Sequence, residues 1–260
     1  MNAKTRHETR SPLKRKPLRN AGQSVQEQLD DALDGEIGWI VLAPMLLTIY
    51  AVTEWSRFLA PQPPHPWIVT VLALTAIGFA YLRFRKVRTR AAALRLGRDG
   101  EKSVAQLLEV TRQPQWRIFN DIPGGSFNVD HLVIAPQGVF VLETKTVSKP
   151  VGNPDAKVKY DGNAVTVNGF TPDRDPVRQV AANRDWIRDT LKETTGRTVQ
   201  ARGVVLYPGW WVDQTSGGHP EVWVLNPKAL PQFIAGQKTI LSSEDIALLS
   251  DAIAYRITRE

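Results

Sequence analysis

The sequence contains no cysteine and only four histidines among its 260 residues. Without cysteine the chain can form no disulfide, no thiolate zinc site, no iron–sulfur cluster and no cysteine nucleophile. The histidines are too far apart to match the ligand spacing of a zinc site; they are His7, His65, His131 and His219. Thiol chemistry is therefore excluded, and a zinc centre is not expected.

The sequence also lacks an evenly basic composition, although its formal net charge is +7. Residues 1–20 hold seven Lys/Arg and one Glu, and residues 83–98 hold seven Lys/Arg and no acid. Residues 21–82 hold six acids and one Arg, while residues 99–260 hold 18 basic and 19 acidic residues. The basic surplus therefore lies in two blocks, and it does not indicate a basic DNA-binding domain.

Two uncharged apolar stretches lie between the basic blocks, at residues 37–53 and 67–82. A membrane-spanning helix needs about 20 residues, with a range of about 17–25. Both basic blocks lie at the same end of the hairpin, which is the positive-inside arrangement. We therefore predict a two-helix transmembrane hairpin over 37–82, in the bacterial cytoplasmic (inner) membrane, with the N-terminus and the C-terminal domain in the cytoplasm. A buried hairpin of a soluble protein is the alternative, because short apolar runs also form core helices.

The rest of the chain divides around this hairpin. Residues 1–36 are expected to form a basic cytoplasmic tail and a short acidic helix, and residues 83–98 a basic linker helix. In the domain at 99–260, the patterns predict a helix over 91–110 that is interrupted near Gly97 and Gly100. The strands predicted after it are 116–122, 128–135, 139–147, 164–167, 202–207 and 221–225.

Two further helices are predicted in this domain. Asp175-Pro176 supplies an N-cap and a first-turn proline for a helix that continues to about Leu191. Residues 242–257 place apolar side chains at helical spacing. The element order predicts an α/β domain with a mixed sheet flanked by helices on both sides.

The strand over 139–147 carries charged side chains where a buried strand ends. Glu143 and Lys145 share one face, because side chains alternate along a strand. Burial of either charge without a partner would cost several kcal/mol. The two residues therefore form a partly exposed ion pair or part of a functional site.

The preceding strand adds a second carboxylate. A four-residue hairpin loop at 135–138 places Asp130 opposite Glu143, whereas a three-residue loop places it opposite Thr144. We favour the first register, because two facing carboxylates require a cation between them, and hard oxygen ligands suit Mg²⁺ or Mn²⁺. Glu101 could add a third carboxylate, and Gln179 could reach a metal-bound water or a phosphate.

Four segments of the sequence form a set: Gly97-x-x-Gly100-Glu101, Val129–Ile134, Gly138–Lys145 and Asp175-Pro176-x-x-Gln179. Over about residues 92–210 this set resembles the nuclease-related domain (NERD) family. That family belongs to the PD-(D/E)xK superfamily, whose fold is restriction-endonuclease-like. The resemblance implies a metal-dependent phosphodiesterase that acts on nucleic acid, with DNA favoured.

The resemblance also implies a role for each candidate residue. Asp130 and Glu143 would be the principal metal ligands, with the carbonyl of Thr144 as a further one. Lys145 would position the attacking water and offset charge on the pentavalent phosphate. Glu101 would bind a second metal or order its water shell, and Gln179 would hold substrate or the nucleophilic water. His131 alternates to the opposite face, where we expect a structural role.

The expected partners are nucleic acid, the lipid bilayer and, as for many nucleases of this superfamily, a second copy of the chain. Lysines at 149, 157 and 159 follow the site and could contact phosphate, and Trp210-Trp211 could stack on bases or cover an edge of the core. Two other classes of function compete with the nuclease. One is a non-catalytic module of the same fold that binds nucleic acid or a protein, and the other is a membrane scaffold.

Overall fold

The computed structural model describes residues 20–59, 66–149, 156–214 and 222–259. The chain forms two compact units. One unit is Gly22–Lys102, and the other consists of Met1–Ala21 and Ser103–Glu260. The predicted basic tail falls mostly outside the described residues, as do residues 60–65 between the two apolar stretches.

The unit Gly22–Lys102 is built from two long helices. Helix α1 is Gln23–Phe58, and helix α2 is Pro66–Thr111, of which the last turns belong to the other unit. The predicted interruption near Gly97 and Gly100 is wrong, because α2 continues through both glycines. A glycine in a helix costs only about 1 kcal/mol relative to alanine, and the neighbouring alanine, leucine and arginine residues favour the helix.

The predicted transmembrane hairpin over 37–82 is not supported. Among the described residues, no helix combines the length and the apolar content that crossing a bilayer requires. The apolar stretches of 17 and 16 residues fall short of the usual span of about 20.

Large apolar side chains of α1 and α2 are nevertheless exposed. Val52 and Leu74 are each 64% exposed, and Phe79 is 67% exposed. The indole nitrogen of Trp55 donates a hydrogen bond of 3.3 Å to the hydroxyl of Thr70, which joins the two helices. This unit therefore presents an apolar surface that its own helices do not cover.

The second unit contains two sheets. Their strands are β1 Arg117–Pro123, β2 Asn128–Ala135, β3 Gly138–Thr144, β4 Lys157–Tyr160, β5 Val165–Val167, β6 Ala201–Leu206, β7 Trp211–Gln214 and β8 Val222–Leu225. The larger sheet has the order β1-β2-β3-β6-β8. The first three strands are antiparallel neighbours, while β3, β6 and β8 are parallel. The prediction of a mixed sheet is confirmed.

Helices cover both faces of this sheet. Helices α3 Pro176–Thr195 and α5 Ser243–Arg259 bury Ile187, Leu191 and Leu249 against one face. The last turns of α2 and the short helix α4 Leu230–Ala235 pack against the other face. Charged residues meet this buried sheet at the carboxyl end of β3, where Glu143 and Lys145 lie.

The smaller sheet has the order β5-β4-β7, and the sequence patterns predicted only β5. Strand β4 alternates Lys157 and Lys159 with the buried Val158 and Tyr160. Four residues of alternation are a weak signal beside the surrounding glycine, proline and asparagine. The buried side chains join a third apolar cluster with Val177 and Val180 of α3.

Candidate active site

The hairpin of β2 and β3 brings the two predicted carboxylates side by side. Ala135 pairs with Gly138, and the ladder continues to His131 opposite Leu142. One further step along the ladder, beyond this pair, places Asp130 opposite Glu143. The backbone N–H of Thr144 donates a hydrogen bond of 2.6 Å to Oδ2 of Asp130. The register expected from the four-residue loop is therefore confirmed.

Glu143 is the centre of a group of polar side chains at the end of β3. The residue is only 3% exposed. Its Oε1 accepts a hydrogen bond of 2.7 Å from Nζ of Lys145 and another of 2.7 Å from Nε2 of Gln179. Nζ of Lys145 also donates to Oε1 of Gln179 at 2.9 Å. The three side chains therefore form a closed triangle of hydrogen bonds.

Helix α3 positions Gln179 because Asp175 fixes where the helix begins. The carboxylate of Asp175 accepts hydrogen bonds from the backbone N–H groups of Val177 and Arg178, and Pro176 occupies the first turn. This is the capped start that the sequence predicted. It places Gln179 one turn into the helix, on the side that faces β3.

The sequence reasoning missed Asn183, which also contacts the central carboxylate. Its Nδ2 donates a long hydrogen bond of 3.3 Å to Oε2 of Glu143, and the residue is buried. Residues four apart lie on one face of a helix. The spacing from Gln179 could therefore have identified it.

Burial and charge pairing shift the pKa of Glu143 in opposite directions. Burial raises the pKa of its carboxyl above the ordinary value, and the adjacent Lys145 ammonium offsets part of that rise. Hydrogen-bond donors from three side chains compensate the carboxylate for the water that it loses. A chain that needed this position only for packing would bury an apolar residue there at lower cost.

Tyr207 is a second residue that the sequence reasoning missed. In the parallel ladder, Thr144 pairs with Leu206, so Tyr207 follows β6 where Lys145 follows β3. Tyr207 is 1% exposed, and its hydroxyl has no hydrogen-bond partner among the residues that the structure describes. Burial raises its pKa strongly, and the negative charges of Asp175 and Glu143 add to the rise. The hydroxyl of Tyr207 is therefore neutral and lies near the carboxylates of Asp175 and Glu143.

His131 is fully buried within β2, where the sequence predicted a structural histidine. Its Nδ1 lies 2.8 Å from Oδ1 of Asn120 on β1, an arrangement in which the ring donates the hydrogen bond. Complete burial lowers its pKa to about 3. The imidazole is therefore neutral at physiological pH and supports the strand that carries Asp130.

The donor set fits a hard divalent cation. Asp130 and Glu143 offer carboxylate oxygens, and Thr144, which lies between Glu143 and Lys145 in the chain, offers its carbonyl oxygen. Mg²⁺ is commonly held by one or two carboxylates and keeps several waters. Within the described ranges, no group of three or more His, Cys, Asp or Glu side chains could hold a metal ion. A cation here would therefore depend on two carboxylates, main-chain oxygen and water.

Glu101 is the remaining predicted ligand. It is a buried residue of α2 and belongs to the unit Gly22–Lys102. Its role at a second metal stays a prediction. The structure therefore brings together Asp130, Glu143, Thr144, Lys145 and Gln179.

Comparison with known proteins gives one match. No curated protein and no solved structure matched the chain. A family model does: residues 96–208 match the nuclease-related domain (NERD). These residues contain the whole triangle around Glu143 and lie within the region that the sequence resemblance covered. The match supports assignment of this part of the chain to the NERD family and suggests a nuclease-like function.

Proposed function

We propose that the domain at residues 99–260 is a metal-dependent nuclease that hydrolyses phosphodiester bonds of nucleic acid, with DNA the favoured substrate. The observation that carries the proposal is the buried Glu143 carboxylate, held by Lys145 and Gln179 beside Asp130. This group lies within the residues that match the nuclease-related family. A carboxylate pair and a lysine at the end of one hairpin supply both the cation ligands and the positive charge that the reaction requires.

The cation in this proposal is Mg²⁺ or Mn²⁺, held by Asp130 and Glu143 with the carbonyl of Thr144. When bound, it would neutralise phosphate charge and lower the pKa of a coordinated water. In the hydrolysis, the oxygen of water forms a bond to phosphorus and this water gives up a proton to solvent. The bond from phosphorus to the leaving ester oxygen breaks, and the leaving oxygen takes up a proton.

The chain's own side chains have distinct tasks in this reaction. The Lys145 ammonium offsets the charge that accumulates on the pentavalent phosphate, since a fixed positive group is most effective where water is excluded. Gln179 restrains both partners, because its amide nitrogen holds Glu143 and its amide oxygen holds Lys145. Asn183 fixes the orientation of the carboxylate from the Oε2 side.

A second function is a nuclease-fold module that binds nucleic acid or a protein without cutting. One observation favours it: both oxygens of Glu143 accept hydrogen bonds from the protein itself. A cation would have to replace or share these donors. The carboxylate is therefore also suited to a purely structural role at the end of the sheet.

We further propose that the protein works at the cytoplasmic face of the bacterial inner membrane. The exposed apolar side chains of α1 and α2 would bury their surface in lipid. The seven basic residues over 83–98 would contact anionic headgroups. Fractionation of cells tests this location: the chain should sediment with membranes, and recovery in the soluble fraction would contradict it.

Nuclease assays of the purified full chain test the principal proposal. Single- and double-stranded DNA and RNA are incubated with Mg²⁺, Mn²⁺ or EDTA. Glu143→Ala and Lys145→Ala should each reduce cleavage by about a hundred-fold or more, since the first removes a cation ligand and the second removes the positive charge at the phosphate. Glu109→Ala and Lys192→Ala are the matched controls, because both residues are exposed on helices.

Three outcomes separate the two functions. Metal-dependent cleavage that both site variants lose, and both controls keep, supports the nuclease. Absence of cleavage with every metal, in a folded chain that still binds nucleic acid, supports the binding module. Cleavage that the two site variants retain would overturn the assignment of the site.

A further inference from the structure

The outer face of the smaller sheet combines an exposed tryptophan with lysines. Val158 and Tyr160 of β4 are buried against the core, so their neighbours Lys157 and Lys159 point to the opposite side. Trp211, the first residue of β7, pairs with Lys157 in the ladder and is 73% exposed. We call the surface formed by Lys157, Lys159 and Trp211 the Trp211 face.

Positive charge predominates on the Trp211 face. Nζ of Lys157 lies 2.8 Å from Oδ2 of Asp213, and both side chains are partly exposed. The hydrogen bond and charge of Lys157 lower the pKa of Asp213, so this carboxylate is ionised at neutral pH. Lys159 pairs in the ladder with Asp213 on one side and with Thr166 on the other, and it is exposed. The ammonium groups of Lys157 and Lys159, together with the neighbouring carboxylate of Asp213, sum to a net charge of +1.

The chain connects this face to the candidate active site. After Lys145 the backbone reaches Val147, whose carbonyl oxygen accepts a hydrogen bond of 3.0 Å from the indole nitrogen of Trp210. Nζ of Lys149 lies 5.7 Å from the centre of the Trp210 ring. Trp210 is buried, so it fixes the start of β7 and presents Trp211 outward. The segment that leaves the site therefore anchors the residue that begins the Trp211 face.

An exposed indole beside lysines on a sheet suits unpaired bases better than a duplex. A base of a single strand offers its flat face for stacking on an aromatic ring, while the lysines contact the phosphates on either side. In a duplex the base faces are stacked on one another, and only the edges are reachable in the grooves. The exposed ring of Trp211 can therefore stack on a base of a single strand but not on a base inside a duplex.

We propose that the Trp211 face binds a single-stranded segment of nucleic acid, with one base stacked on Trp211 and its flanking phosphates on Lys157 and Lys159. The inference rests on the proposed nuclease function, because it names how that site would hold its substrate. The substrate class follows: a single strand, or a duplex with a single-stranded end or gap.

Fluorescence anisotropy of the full chain with a labelled 20-nucleotide oligothymidylate tests the inference, in EDTA so that no cleavage occurs. Trp211→Ala should weaken binding by about ten-fold or more, since stacking of one base on an aromatic ring accounts for that order of affinity. Phe170→Ala is the matched control: Phe170 is 75% exposed and forms a β-bridge with Val167. A 20-base-pair duplex of mixed sequence serves as the competing ligand.

The charge of the face gives a second measurement. For single strands the logarithm of the binding constant falls with the logarithm of salt by about 0.7 per neutralised phosphate. Lys159→Gln should reduce that slope by about this amount, and Asp213→Asn should strengthen binding. Lys192→Gln, at an exposed position on α3, should change neither quantity.

The results separate this inference from the nuclease proposal. Binding that depends on Trp211 supports the inference even if the chain cuts nothing, and it would then describe the binding module. Equal affinity of Trp211→Ala and the unmodified chain overturns the inference, whether or not cleavage occurs. Tighter binding of the duplex than of the oligothymidylate also overturns it, because the stacking geometry requires unpaired bases.

Discussion

The side-chain amide of Gln179 on α3 donates a hydrogen bond of 2.7 Å to Oε1 of Glu143 on β3. Its oxygen accepts a hydrogen bond of 2.9 Å from Lys145. One amide thus satisfies both members of an ion pair and fixes the distance between them. Because both ends of the amide are used, replacement by a residue of similar size but different polarity disturbs the whole triangle.

We predict that Gln179→Leu reduces cleavage by about ten- to a hundred-fold, a magnitude typical for loss of a group that orients catalytic residues. Gln179→Glu should be at least as harmful, because its carboxylate would repel Glu143. Initial rates on the preferred substrate measure both effects. Gln237→Leu is the control and should leave the rates unchanged, because the side chain of Gln237 donates its hydrogen bond, of 3.4 Å, to the carbonyl oxygen of Phe233 and not to the site.

Tyr207→Phe should raise the melting temperature and reduce cleavage. The buried hydroxyl has no partner among the described residues, and its removal relieves a desolvation cost of about 1–3 kcal/mol. A hydroxyl kept at this cost near Glu143 is expected to serve the reaction. Thermal unfolding and cleavage rates on the same samples check both signs. A lower melting temperature would show that the hydroxyl is satisfied within the folded chain.

The stability of the protein should fall when the pH drops below 6.5. His131 has a pKa of about 3 in the folded chain, so the unfolded chain takes up a proton first as the pH falls. The contribution of His131 is complete above its unfolded pKa and is lost progressively between 6.5 and 3, by about 1.4 kcal/mol per pH unit.

Urea unfolding at pH 7.5, 6.0 and 5.0 measures this loss. The control variant is His131→Gln, which keeps a polar side chain for Asn120 and removes the titrating group. Its free energy of unfolding should depend less on pH than that of the unmodified chain. Equal pH dependence in the two proteins would contradict the assignment.

Gly203→Ala should destabilise the protein and weaken the site together. A Cβ atom at Gly203 on β6 would lie 3.0 Å from Cγ1 and 3.3 Å from Cγ2 of Val180. Val180 belongs to α3, so we expect the helix to move away from the sheet by a few tenths of an ångström, at a cost of about 1–3 kcal/mol.

The same shift moves Gln179 and Asn183 away from Glu143. Chemical denaturation and cleavage rates of Gly203→Ala should therefore change in parallel. In Gly203→Ala/Val180→Ala the smaller side chain makes room for the added methyl group, so this double variant should recover part of the activity. Failure of the second substitution to restore any activity would argue against the steric explanation.

The sequence was informative where a local pattern determines structure. Alternation along β2 and β3 left two registers open, and the expectation that two facing carboxylates bind a cation selected the one in which Asp130 faces Glu143. The cap of α3 could be predicted from Asp175-Pro176 because capping depends on neighbouring residues only. Gln179 followed from its place in the first turn of that helix.

Other features depend on contacts between distant segments. Strands β4 and β7 are four residues each and owe their stability to burial against α3, which no local pattern records. Tyr207 approaches Glu143 only because β6 lies parallel to β3. The continuity of α2 through Gly97 and Gly100 reflects the sum of helix propensities over many residues rather than the two glycines alone.

Helix α3 contributes to two apolar clusters and supplies two of the three donors to Glu143. These donors lie 36 and 40 residues after the carboxylate in the chain. During synthesis, the ribosome must therefore complete residue 183 before Glu143 can obtain its partners. A truncated or incompletely folded chain carries the hairpin with Asp130 and Glu143 but no assembled site, so acquisition of activity coincides with docking of this one helix.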